Sequence, residues 1–230
     1  MLIIIDARIP EEAINSLKKT GNVFLLKSND IVYDSIQGHP DIFMLQLDDF
    51  VIVAPNSPKE LIEKLKEYRI PFLRGKSKLG KKFPETVYYN AVSTPKYLVH
   101  KEGLTDSCVV HETIKKKFIN VSQAYTRCNL LSLPDGSFIT SDKGIESSLS
   151  NKGIEVHYFS SEDVLLSGQD HGFIPGACGI FDNDIYLIGS LDHYSEGERF
   201  RQLIVSKGMN IVELYQGPLI DGGGLYFLTD

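Results

Sequence analysis

The residues best suited to chemistry lie in short clusters scattered along the chain. His39-Pro40-Asp41 sets an imidazole and a carboxylate two positions apart. On a strand the two would share one face, and so one substrate or one proton. Cys128 follows Thr126-Arg127, and Cys178 sits in Gly-Ala-Cys-Gly. Either thiol becomes a nucleophile if a neighbouring His or cation lowers its pKa, and otherwise is a small buried hydrophobe. Asp221 precedes three glycines, which permit close backbone approach to a ligand or form a tight turn. The third cysteine, Cys108, makes the count odd, with no Cys-x-x-Cys spacing. That argues against a disulfide framework or a zinc ribbon. Cys128, Cys178, His39 and Asp41 can in principle form a mixed-ligand site. They come from separate segments without local ligand spacing, so neither a metal nor a cofactor is expected.

The elements that must position these residues repeat. Five segments read as an amphipathic helix, a break and a short apolar strand: 10–26, 57–73, 108–121, 142–159 and 195–214. Gly21, Gly153 and Gly208 stand where left-handed C-caps would sit. Ser57 (before Pro58), Asp142 and Ser195 read as N-caps. Between the helical segments lie hairpins. Residues 41–55 turn at Asp-Asp, 128–142 at Pro-Asp-Gly and 179–191 at Asp-Asn-Asp; a weaker one spans 93–110 with its turn at Lys-Glu-Gly. A fifth hairpin requires the chain ends, with GGGLYFLTD as its first strand and MLIIID as its second.

The chain thus reads as five copies of strand–turn–strand–helix–strand. It is of α/β class, a five-fold pseudo-symmetric β/α propeller in a single domain over residues 1–230. One hairpin with one helix cannot bury its apolar face alone, so the units must stack, and pairing of the N- and C-terminal strands closes the last blade. The Lys-rich stretch 74–85 reads as a solvated connection, and His171 as loop.

In an antiparallel hairpin, the start of the first strand and the end of the second lie at one end. First-strand starts contribute His39, Asp41, Tyr88, Asn90, Thr126, Cys128, Gly176, Cys178, Asp221 and Gly223. Second-strand ends contribute Asp6, Asn56, His111, Asp142, Asp192 and His193. The candidate catalytic group is Cys128, His39 and Asp41. The candidate ligand-binding residues are Asn90, Asp142, Cys178, Asp221, Asp6 and His193. Asp6, Asn56 and Asp142 also precede helices, so capping is their structural alternative. The excess of acid favours a cationic ligand, such as a guanidino or amino compound.

This architecture resembles the pentein superfamily, which includes arginine and agmatine deiminases, dimethylarginine hydrolases, amidinotransferases and translation initiation factor six. His39-Pro40-Asp41 looks like the His-x-Asp or His-x-Glu element of the pentein enzymes. Asp221-Gly222-Gly223-Gly224 is similar to the Gly-rich run before the nucleophilic cysteine of agmatine deiminases. QAYTRC (123–128), ITSD (139–142) and GFIPGACG (172–179) resemble an uncharacterised bacterial group of penteins. The resemblance implies a site for guanidino chemistry, but Leu225 stands where the nucleophilic cysteine would follow, and no cysteine lies after Cys178.

Composition narrows the classes further. The 230 residues are 42% hydrophobic and 23% charged, with a net charge of −6, which excludes a disordered or fibrous chain. There is no basic stripe, so duplex nucleic acid is not an expected partner. The opening apolar run is too short for a signal peptide, and none approaches a membrane span, so a cytoplasmic protein is expected. Three functions compete: a binder of a small cationic molecule, a non-standard cysteine-dependent C–N hydrolase or transferase using Cys128 or Cys178, and a ribosome- or protein-binding ring.

Overall fold

The computed structural model describes residues 1–229. The chain opens with β1 (Leu2–Asp6), α1 (Glu11–Leu17) and β2 (Asn22–Leu26). A single helical turn, α2 (Pro40–Phe43), then leads into β3 (Met44–Gln46), β4 (Val51–Val53), α3 (Lys59–Glu67) and β5 (Phe72–Arg74). The next unit is β6 (Val92–Ser93), β7 (Tyr97–His100), α4 (Ser107–Glu112) and β8 (Lys117–Asn120). Another single turn, α5 (Thr126–Asn129), precedes β9 (Leu130–Ser132), β10 (Phe138–Thr140), α6 (Lys143–Ser150) and β11 (Val156–Tyr158). A 3-10 turn at Ile174–Ala177 precedes β12 (Cys178–Phe181), β13 (Asp184–Leu187), α7 (Gly197–Ser206) and β14 (Asn210–Glu213); β15 (Tyr226–Leu228) follows.

These strands make five separate three-stranded sheets of one pattern. The second strand of each unit is central, antiparallel to the first and parallel to the third. The N-terminal unit lacks a first strand of its own and takes it from the other end of the chain. There β15 runs antiparallel to β1, pairing Leu2 with Leu228, Ile3 with Phe227 and Ile4 with Tyr226. The α/β class, the five small sheets and the pairing of terminal strands agree with the sequence reading.

Strand burial explains why these segments fold so. Central strands are buried on both faces and therefore read as unbroken apolar runs: Leu2-Ile3-Ile4-Ile5, Val51-Ile52-Val53 and Ile185-Tyr186-Leu187 are all buried. Third strands lie outside them and are half-exposed. The helices that connect second to third strands bury one stripe each, such as Leu61, Ile62 and Leu65 in α3 or Phe200 and Ile204 in α7.

Some local expectations hold and others are corrected. Gly153 and Gly208 adopt positive φ after their helices, but Gly21 does not. Asp142 caps α6 by accepting from the Ile145 N–H at 2.8 Å. Helix α3 begins after Pro58 rather than after Ser57, and α7 begins after Glu196 rather than Ser195. The 93–110 hairpin turns earlier than expected, at Thr94–Lys96, where Thr94 Oγ1 accepts from the Tyr97 N–H at 2.9 Å. Its supposed second strand is the start of α4, because the Asp106 carboxylate accepts from the Cys108 N–H at 2.8 Å and caps the helix. The Lys-rich connection is pinned as well as solvated. Asn56 exchanges side-chain hydrogen bonds with the Leu79 backbone at 2.9 and 3.0 Å, and Asp106 accepts from Lys76 N–H.

Candidate functional site

The site is built on the one-turn helices in front of the first strands, which the sequence reading took as strand. His39 precedes a proline and is extended, since the Pro40 ring bars it from helical conformation. Pro40 then opens α2 with its φ already helical, and Asp41 follows within that turn. His39 and Asp41 therefore do not share a strand face. Cys128 lies in α5, in the corresponding place of another unit.

Asn90 holds the two turns together. Its side-chain N–H donates to the Asp41 carbonyl at 3.2 Å and to Cys128 Sγ at 3.3 Å. Its side-chain oxygen accepts from the Arg127 and Cys128 N–H groups at 2.8 and 3.3 Å. The Cys128 S–H in turn donates to Asp41 Oδ2 at 2.9 Å. His39 sits between two further carboxylates, with Nε2 3.8 Å from Asp6 Oδ2 and Nδ1 3.9 Å from Asp221 Oδ1. Asp6 also grips Arg8, whose Nε donates to it at 2.9 Å. The Asp221 carboxylate accepts from the Gly223 and Phe173 N–H groups at 2.9 and 3.0 Å.

Glycines make this density possible. A Cβ on Gly176 would collide with the Asp221 carboxylate, and one on Gly223 with His39 Cβ. Gly223 also has φ +71°, a conformation that glycine alone adopts freely.

The electrostatics follow from burial. Asp41 is fully buried, which raises its carboxyl to about 6 against the pull of the Cys128 hydrogen bond and the Arg127 charge. Burial also raises Asp221, and lowers His39 although Asp221 and Asp6 oppose that shift. The Cys128 thiol is pushed well above its ordinary value, first by burial and then by the Asp41 and Asp221 charges. At neutral pH the cluster thus holds a thiol and a neutral imidazole. Both ring nitrogens of His39, and Asp41 Oδ1, have no hydrogen-bond partner among the described residues.

His39, Cys128 and Asp221 line a cavity of about 300 Å³ walled by Tyr33, Tyr125 and Phe173. The Tyr125 hydroxyl joins those of Tyr33 and Thr86 at 3.2 and 2.6 Å. His171, read as plain loop, and Gln169 stand at this cavity too.

The remaining candidates are placed elsewhere. Cys178 is buried outside the cavity, its S–H donating to the Ile174 carbonyl at 3.0 Å, with its thiol pushed up to about 12 by burial. Asp142 is the cap of α6, and His193 is exposed on a 3-10 turn. Asp192 pairs with Arg201 at 2.7 Å, Asn56 anchors the Lys-rich connection, and His111 is exposed. Asp6 does not cap α1, whose cap position is Pro10. Arg127 was legible only as the neighbour of Cys128. Its guanidinium donates to the Pro175 carbonyl at 3.0 Å and lies over the Tyr226 ring.

Residues 4–226 match a family of unknown function, DUF6873. The chain belongs to this family. No curated protein matches its sequence. Solved structures with the same fold include DDAH from Pseudomonas aeruginosa complexed with citrulline (12% identity, TM-score 0.55, 92% of this chain and 91% of that one). An amidinotransferase from Microseira wollei in the saxitoxin biosynthetic pathway is 9% identical at TM-score 0.54, covering 92% and 87% of the two chains. Agmatine deiminase from C. jejuni is 8% identical at TM-score 0.55, covering 89% and 73%. These are pentein-superfamily proteins, and this DUF6873 chain shares their fold. Leu225, after the glycine run, is buried. Among the described residues no helix is long and apolar enough to cross a membrane.

Proposed function

We propose that this DUF6873 protein binds a small guanidino or amino compound in the cavity between Tyr33, Tyr125 and Phe173. The cationic head turns toward the Asp221 carboxylate. The observation that carries this reading is the burial of Asp6, Asp41 and Asp221 around a histidine whose ring nitrogens lack partners. Of these carboxylates only Asp6 is ion-paired to an arginine, so the group retains an excess of acceptors for N–H donors. Tyr33 and Tyr125 supply aromatic walls of the kind that suit a cation. Two neighbours with this fold point the same way: an amidinotransferase and an agmatine deiminase.

The same reading takes the five sheets as blades of a closed propeller with this cluster at its axis. Contacts between the first strands β3 and β6, β6 and β9, and β12 and β15 support it.

A cysteine-dependent C–N hydrolase or transferase is a second reading, favoured by one observation. Cys128 Sγ borders the cavity with a carboxylate 2.9 Å away. That thiol rests protonated, so such an enzyme would need its cationic substrate to lower the thiol pKa on binding.

Thermal denaturation of chelator-treated protein with arginine, agmatine and citrulline tests the binding reading. Agmatine and arginine are expected to raise Tm, by about 2.7 kcal/mol of added stability at a hundredfold excess over Kd. Asp221→Asn should abolish the rise. Equal shifts with neutral citrulline, or none with any of the three, would sink the proposal.

A further inference from the structure

The geometry points to a site for one thiophilic divalent cation of the zinc class, held by Cys128 Sγ, a ring nitrogen of His39 and a carboxylate oxygen of Asp41. The ligand atoms of these three buried residues all lie within 4.8 Å of one another. Tetrahedral zinc with one sulfur, one nitrogen and one oxygen ligand sets such atoms about 3.5 Å apart. Closing onto an ion therefore asks for shifts of roughly 1 Å in the ligand atoms.

The unsatisfied atoms point to the ligand. His39 is 1% exposed and Asp41 is 0% exposed, yet both imidazole nitrogens and Asp41 Oδ1 are without partners among the described residues. Buried polar atoms are nearly always paired, and an isolated orphan demands an explanation. Here one ring nitrogen of His39 and one carboxylate oxygen of Asp41 lie within 4.8 Å of each other and of the Cys128 thiol, so a cation between them would satisfy one atom of each residue.

The surroundings fit a metal as well as its ligands do. Whichever nitrogen of His39 coordinates, the other faces a carboxylate, since Nδ1 looks toward Asp221 and Nε2 toward Asp6. A carboxylate behind a ligating imidazole fixes its tautomer and raises its basicity. The Asn90 N–H at 3.3 Å from Cys128 Sγ would support the thiolate. Cys128 and His39 border the cavity, which gives the ion an entry path and leaves a fourth position for water.

The charges and protons balance. The aquated dication sheds water, the Cys128 S–H bond gives its proton to solvent, and one thiolate and one carboxylate neutralise the ion. The sulfur, nitrogen and oxygen donor set selects zinc or cobalt over magnesium or calcium, which prefer oxygen alone. Cys178, part of the mixed-ligand grouping considered from sequence, has no place in this site. The inference does not depend on the organic ligand, because Asp221 stays free to face a cationic group.

The test is titration of chelator-treated, intact protein with cobalt(II), followed by displacement with zinc(II). One cobalt per chain is expected, with a thiolate-to-cobalt charge-transfer band in the near ultraviolet and intense tetrahedral bands in the visible. About one proton per metal should be released into weak buffer at pH 7. Cys128→Ser and His39→Ala should each weaken binding at least about 100-fold, whereas Cys108→Ser should not. Absence of the thiolate band in the wild type, or its survival in Cys128→Ser, would overturn the site. Far-UV circular dichroism identifies any variant that fails to fold, and the wild-type band and proton count then decide alone. If metal binding fails while agmatine still raises Tm in chelator, only this inference falls.

Discussion

His100 gives the sharpest quantitative test of how the fold holds the wall of the site. It is fully buried at the end of β7, and its Nε2–H donates to the Ala124 carbonyl at 3.0 Å. Its Nδ1 then accepts from the Thr105 hydroxyl at 2.8 Å, so the neutral ring is satisfied at both nitrogens. Ala124 adjoins Tyr125, which walls the cavity and leads into α5. Burial lowers the His100 pKa from 6.5 to about 4. A histidine whose folded pKa is depressed contributes stability above its unfolded pKa and loses it as pH falls through that window. The loss on going from pH 7.5 should reach about 2 kcal/mol at pH 5 and about 3 kcal/mol near pH 4. His100→Gln keeps a donor and an acceptor but cannot titrate. Urea unfolding of both proteins, followed by far-UV circular dichroism at half-unit steps of pH, isolates the difference. Asp41, Asp221 and His39 titrate in both proteins and cancel. Parallel stability curves for wild type and His100→Gln from pH 7.5 to pH 4.5 would refute the reasoning.

Three further outcomes are expected. Iodoacetamide at pH 7 should label half-buried Cys108 first, Cys128 slowly through the cavity, and Cys178 only after denaturation, as located by mass spectrometry. Rapid labelling of Cys128 at pH 6 would contradict its raised thiol pKa and revive the nucleophile. Gly176→Ala should cost about 1–3 kcal/mol in urea unfolding and abolish stabilisation by agmatine, because its methyl collides with Asp221; wild-type behaviour in both assays would contradict that packing. Ile3→Ala, in the strand between β15 and β2, should cost about 2–5 kcal/mol, whereas exposed Val205→Ala should stay within about 0.5 kcal/mol. Equal costs would dismiss the terminal pairing as a stabilising element.

What was legible in the sequence divides by the range of the interaction concerned. The hairpin of β12 and β13 was readable because it closes across Asp182-Asn183 between paired Phe181 and Asp184. The Asp142 cap was readable because its partner is three residues away. Even the union of the chain ends followed from counting, since four hairpins and five helical segments leave one strand to be found at each end. The interior of the site obeyed a different rule. Asn90 reaches Asp41 across 49 positions and Cys128 across 38, and no local pattern announces such a clasp.

The same division separates the candidate site residues. Cys128, His39, Asp41, Asn90, Asp221 and Asp6 were all nominated by assuming equivalent positions in five repeats, and the structure gathers them. The assumption failed for Asp142 and His193, because repetition fixes where backbone starts and ends but not which side chain turns inward. It also missed Tyr33, Gln169 and Phe173, which lie in connections that the repeats do not share. Phe173 reaches the cavity because the Asp221 carboxylate accepts its N–H, while Leu165 bridges to Ile220 in the same tether. In a fold built from repeats, the shared elements bring the reactive groups to one place. The unshared connections choose the shape of what those groups meet, so differences in ligand between proteins of this fold should reside there.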